Sequence, residues 1–151
     1  MADAPGAPLG PARWDLLPGR PWAGLVTGGH RIGLVRGVNC RTAPALFTEW
    51  AHALSFPGYF GRNWDAFEEC LNDVLHPPGT GPAVPLLVLV TDADALLADE
   101  PPHQLATLLA VLDTSAAATP ADDPPLRVLF TTTPAARAAT AERLRSAART
   151  V

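Results

Sequence analysis

Three carboxylates spaced four apart, Asp65, Glu69 and Asp73, are the residues of this sequence best placed to do chemistry. On a helix such positions lie one above another on a single face. They would form a row of negative charge, with Glu68 and Asn72 beside it. Like charges four apart cost a helix roughly a few tenths of a kcal/mol each, and the helix dipole favours only Asp65, in the first turn. No arginine or lysine falls at helical spacing to relieve them. A row of this kind is either a solvated face or a surface that waits for a basic partner. The segment just before it favours the second. Phe56, Tyr59, Phe60 and Trp64 place four aromatics within nine residues, with Gly58 and Gly61 between them. Aromatic anchors beside a charged rim are the composition of a protein interface.

Other chemistries find less support. Asp65 and Glu69 could be an acid/base pair, but nothing else in the chain supplies a substrate groove for paired-carboxylate hydrolysis, so no enzyme is expected. His30, His52, His76 and His103 are scattered, with no His-x3-His pair, and no metal or cofactor is expected. The glycines at 24, 28, 29, 33 and 37 are followed by no Gly-Lys-Ser/Thr and read as turn residues. Asp92 and Asp94, after the apolar run Leu86–Val90, read as helix caps rather than magnesium ligands. Cys40 and Cys70 stand alone and read as reduced, buried thiols.

The elements that must position the acidic row follow from periodicity and punctuation. Thr42-Ala43-Pro44 opens a helix in which Leu46, Phe47, Trp50, Ala53 and Leu54 face a core, and Ser55–Gly58 stops it. Asn63 is an N-cap for a second helix reaching Leu75, whose inward stripe is Phe67, Cys70, Leu71 and Val74. Trp22–Thr27 and Arg31–Arg36 flank Gly28-Gly29-His30 and suggest a hairpin. Leu86–Thr91 is a continuous apolar strand, the kind buried on both faces of a parallel sheet. A short helix near 93–99, a longer one over 104–114, a strand over Leu126–Thr132 and a terminal helix from Pro134 complete the order. The expected fold is α/β: a small three-stranded parallel sheet covered by helices, with an added N-terminal hairpin strand and a C-terminal helix. Residues 1–21 form a Pro/Gly/Ala-rich flexible lead, 22–133 the domain, and 134–151 an Ala/Arg-rich helix or tail.

A chain of 151 residues fits one domain, and 48% apolar residues exclude wholesale disorder. The longest apolar run is far too short to span a bilayer. Met1–Pro5 shows no basic patch leading into an apolar stretch, so no signal peptide and a cytoplasmic location are expected. The net charge of −4 conceals an uneven distribution: +3 over residues 1–41, −11 over 42–126 and +4 over 127–151. The basic end, with Arg137, Arg143, Arg145 and Arg149, reads as a solubilising helix. The sharper expectation is that it folds back on the acidic row and competes with the partner.

Phe56-Pro-Gly-Tyr-Phe-Gly-Arg-Asn-Trp-Asp-Ala-Phe-Glu-Glu-Cys-Leu71 resembles the signature of the barstar family, and the likeness runs from the strand near Arg31 to the strand ending near Thr132. The resemblance implies an inhibitor that inserts an acidic helix and loop into the basic RNA-binding cleft of a ribonuclease. By position, Tyr59 resembles the family's contact aromatic, and Asp65 and Glu69 its principal cleft-facing acids, with glutamate at 69 in place of an aspartate. Trp64, Glu68 and Asp73 would lie at the periphery, with Trp64 equally open to a place in the core, and Cys70 resembles the family's cysteine beside the second acid. Arg62 stands where the family carries an acid and Glu68 where it carries a contact tryptophan, which points to a partner other than barnase itself. Asp113 lies in the region of a further family acid. The expected partner is a basic ribonuclease or related nuclease toxin, met as a protein, with no direct nucleic acid, no membrane, and a monomer when free. The alternative is an interaction module of the same fold with a regulatory or assembly role and no nuclease target.

Overall fold

The computed structural model describes residues 14–18, 31–76, 86–116 and 126–150. Its elements run β1 (Trp14–Pro18), β2 (Arg31–Arg36), α1 (Ala43–Leu54), α2 (Trp64–Leu75), β3 (Leu86–Thr91), α3 (Pro102–Ala116), β4 (Leu126–Thr132) and α4 (Arg137–Thr150). Short 3-10 turns cover Gly37–Asn39, Ala93–Ala95 and Pro134–Ala136. The strands form one parallel sheet in the order β1-β4-β3-β2. Leu86 is the register mark, opposite Arg31 on one side and Leu126 on the other.

Composition explains why β3 is central. Leu86 to Val90 are all buried, as a strand with protein on both faces requires. Leu86, Val88 and Val90 join Val35, Leu126, Val128 and Phe130 beneath α1, α2 and α3 in the main core, while Leu87, Leu89 and Leu129 form a second cluster on the opposite face. β2 is an edge strand and alternates, with Val35 buried and Ile32 and Leu34 exposed.

The α/β architecture, its three parallel strands, the added N-terminal strand and the C-terminal helix agree with the sequence. The added strand differs in place. It is Trp14–Pro18, inside the expected lead, and it pairs in parallel with β4 rather than as a hairpin with β2. The hairpin run Trp22–Thr27 and its Gly28-Gly29-His30 turn lie outside the described residues. A parallel neighbour from so far along the chain leaves no local signal. The short helix expected near 93–99 is only the turn Ala93–Ala95. Leu97, with φ of 53°, then turns the chain, and its N–H donates to the Cys40 carbonyl at 2.6 Å.

That turn brings residues 99 and 100 to the start of α1. Asp99 receives two hydrogen bonds from the Arg41 guanidinium, at 2.9 and 3.0 Å. Glu100 accepts the Ala43 N–H at 2.7 Å, and Thr42 accepts the Ala45 N–H at 3.3 Å. Two otherwise unpaired amides of the first turn are thereby satisfied, one locally and one from 57 residues away. Gly37 fits beneath β3 because it has no side chain: a Cβ there would strike the carbonyl oxygens of Thr91 and Asp92.

α4 packs on α3 and on the turn at 93–95. Its buried residues are Thr140, Ala141, Leu144 and Ala147. This corrects the expectation that the basic end folds back over the acidic row. The small, apolar face of α4 matches α3, and Arg149 closes on Glu142 of its own helix at 3.1 Å.

Candidate protein-binding face

α2 begins where the sequence indicates. Asn63 has extended backbone and its side-chain oxygen accepts the Ala66 N–H at 2.8 Å. From that start, Phe67, Cys70, Leu71 and Leu75 point into the core. Val74 is only half-buried; Leu75 takes the inward place expected of it, and the Val74 carbonyl accepts a hydrogen bond from Arg31 at 2.8 Å. The opposite side carries Asp65, Glu69 and Asp73, all exposed, with Glu68 half-buried beside them. None of these four carboxylates has a hydrogen bond or ion pair with any described residue. Their charge is held by the helix backbone and left uncompensated.

The loop from Ser55 to Asn63 separates its aromatics by direction. Ser55 leaves α1 in the left-handed conformation. The Phe60 N–H then donates to the Pro57 carbonyl at 3.0 Å, closing a turn over Pro57–Phe60. Phe56 and Phe60 turn inward and meet edge to face with centroids 5.2 Å apart. Phe60 also packs on Phe47 at 5.9 Å, and Phe56 on Phe67 at 5.9 Å. Tyr59, at the tip of the turn, is left 80% exposed. The inward rings form a rigid base that presents this outward one beside the carboxylates.

Trp64 serves that base. Its ring packs on Phe47 at 5.0 Å and Phe67 at 5.6 Å. Its indole N–H donates to the Gln104 side chain of α3 at 2.8 Å. It ties α2 to α3 rather than standing free on the surface. Arg62, in the left-handed conformation with φ of 56°, reaches away from the acidic row to α1. There it donates to the Pro44 carbonyl at 3.1 Å and to the Thr48 hydroxyl. The positive charge inside the family-like signature therefore clamps the loop and does not neutralise the face. Gln104 and the Pro44–Thr48 acceptors carry no sequence mark, because each meets its partner only across the fold.

Cys70 lies beneath the row, where burial, and then the charges of Asp73 and Glu69, push its thiol pKa up. Cys40 is fully buried and pushed up to about 12, by burial first and by Glu49 second. Both are protonated, unreactive thiols at neutral pH. Asp113, on α3, is half-buried. No group of three metal-ligating side chains occurs among the described residues, and no described helix is long and apolar enough to cross a membrane.

The face combines a rigid aromatic base, the exposed Tyr59, and carboxylates that have no partner among the described residues. The family model described as Barstar (barnase inhibitor) matches residues 31–131, from the start of β2 to the end of β4. No curated protein matches the chain. Among solved structures it is similar to the crystal structure of Cdc6p from Pyrobaculum aerophilum, with a TM-score of 0.53 and 17% identity. That likeness covers 88% of this chain but only 38% of the Cdc6p chain, and at this identity it concerns the fold alone.

Proposed function

The chain belongs to the barstar family, and from that premise we propose that it is a protein inhibitor of the antitoxin type. Its target is a basic ribonuclease or related nuclease toxin, met in the cytoplasm. The observation that carries this reading is the uncompensated row Asp65, Glu69 and Asp73 beside the exposed Tyr59. A ribonuclease holds RNA phosphates with cationic side chains. Carboxylates standing one helical turn apart offer the same groups an alternative anion, so the inhibitor competes as a mimic of the nucleic-acid backbone. Opposite fields also steer the encounter, which makes association fall with added salt. Tyr59 supplies the apolar anchor, Asp65 and Glu69 the main charge contacts, and Glu68 and Asp73 the rim. Trp64 contributes by holding α2 in place.

A native-lysate capture with wild type and with Asp65→Ala/Glu69→Ala tests this, with ribonuclease activity measured after the captured proteins are separated from the bait. The expected result is a nuclease recovered by wild type and lost from the variant. Recovery of the same non-nuclease proteins by both baits would overturn the proposal and leave an interaction module without a nuclease target.

A further inference from the structure

α3 and α4 do not close completely on one another. Between the first turn of α3 and the middle of α4 lies a cavity of about 550 Å³, within the range of small-molecule sites. Its walls are mostly apolar, with Leu105 and Ala147 among them, and Glu100, His103, Arg143 and Ser146 supply the polar groups. Arg143 is the unusual member. It is half-buried, lines the cavity, and has no hydrogen bond or ion pair with any described residue.

A guanidinium offers five donors, and withdrawing it from water without a partner is costly. Burial here works against its charge, and Asp94, whose carboxylate accepts the Thr132 hydroxyl at 2.8 Å, opposes that effect electrostatically without a hydrogen bond to Arg143. Glu100, the acid in the wall, keeps its negative charge but is held on α1 through the Ala43 N–H. The cavity therefore holds a guanidinium with no hydrogen-bond partner among the described residues, in mostly apolar walls that also carry the tethered Glu100.

We propose that this cavity binds a small organic monocarboxylate, its carboxylate paired with Arg143 and its apolar body against Leu105 and Ala147. The planar fork of arginine matches a carboxylate in bidentate geometry. The apolar walls select for a hydrocarbon body over an inorganic anion. The site involves residues of α3 and α4 and needs no nuclease.

Octanoate and its neutral isostere octanamide are suitable probes, titrated into the full-length chain and followed by backbone amide shifts. Octanoate should give saturable shifts confined to residues 98–105 and 143–147. Octanamide should bind at least ~10-fold more weakly, about 1.4 kcal/mol. Arg143→Met should weaken octanoate by a similar factor, with Arg143→Lys in between, and thermal melts establish that both variants are folded. The comparison of the two probes on wild type does not depend on any variant. Equal binding of octanamide, unchanged binding to a folded Arg143→Met protein, or no shifts up to the solubility of octanoate would overturn the proposal.

Discussion

Replacing Trp64 by phenylalanine separates a scaffold residue from a contact residue. The substitution keeps a ring against Phe47 and Phe67 but removes the indole N–H that reaches Gln104 at 2.8 Å. A hydrogen bond of this kind contributes about 0.5–1.5 kcal/mol net, and the stranded partner adds a desolvation cost of about 1 kcal/mol where it is shielded from water. The two partners are part-buried, so the expected loss is about 2 kcal/mol. For a domain of this size that lowers Tm by roughly 4–8 °C. Gln104→Leu alone removes the same bond from the other side. Thermal or urea unfolding of the two single variants and the double variant then gives the coupling directly, expected at about 1 kcal/mol. A coupling indistinguishable from zero would refute the link between α2 and α3. Partner binding supplies a second reading. Trp64→Phe should leave affinity within about threefold, whereas Tyr59→Ala should reduce it more than ~10-fold, about 1.4 kcal/mol. If a folded Trp64→Phe protein loses as much affinity as Tyr59→Ala, the scaffold role of Trp64 is wrong.

Two further outcomes concern the supports of the site. Gly37→Ala should destabilise by about 3 kcal/mol, the upper range for overpacking, because the new Cβ meets backbone oxygens of Thr91 and Asp92 that cannot move aside. Gly33→Ala should cost clearly less, since its obstacle is the end of the flexible Leu54 side chain; equal melting points would contradict this account. The Arg41–Asp99 pair makes an acid-dependent contribution. Hydrogen bonds from Arg41 hold the Asp99 carboxyl below its ordinary pKa. That contribution is complete above the usual aspartate value of about 3.9 and is lost as pH falls through the depressed one. The stability gap between wild type and Arg41→Ala should therefore narrow on acidification, and a gap independent of pH in urea titrations would remove the pair from the acid response. Both side chains are exposed, so the gap is small and shrinks with salt.

Much of the fold was legible because its signals are local. Thr42-Ala43-Pro44 announced the start of α1 and Asn63 announced that of α2 as a cap; Thr42 and Asn63 each accept the amide three residues on. The unbroken apolar run of β3 announced a strand buried on both faces, which it is. The charge pattern of α2 placed Asp65, Glu69 and Asp73 together, since a helix converts spacing into a shared face. The less legible parts depend on encounters between distant segments. β1 pairs with β4, more than a hundred residues along the chain. Glu100 caps a helix that starts 57 residues earlier. The expected return of the basic end to the acidic row overlooked α4's own apolar stripe, Ala141, Leu144 and Ala147, which buries itself on α3.

The aromatic loop shows the same division. Composition alone put four rings next to an acidic helix, but a ring in a loop has no periodicity to set its direction. Packing on Phe47 and Phe67 drew Phe56, Phe60 and Trp64 inward, and the turn at Pro57–Phe60 left Tyr59 outside. Arg62 was ambiguous until α1 offered the Pro44 carbonyl and the Thr48 hydroxyl. The helices, the central strands and the existence of an acidic face were readable in advance, because these follow from repeats of two and 3.6 residues. Which aromatic is presented, which way the arginine turns and which charges keep no partner among the described residues were settled by the folded packing. Those outcomes depend on what each side chain meets across the core, and nearest neighbours in the chain do not encode it.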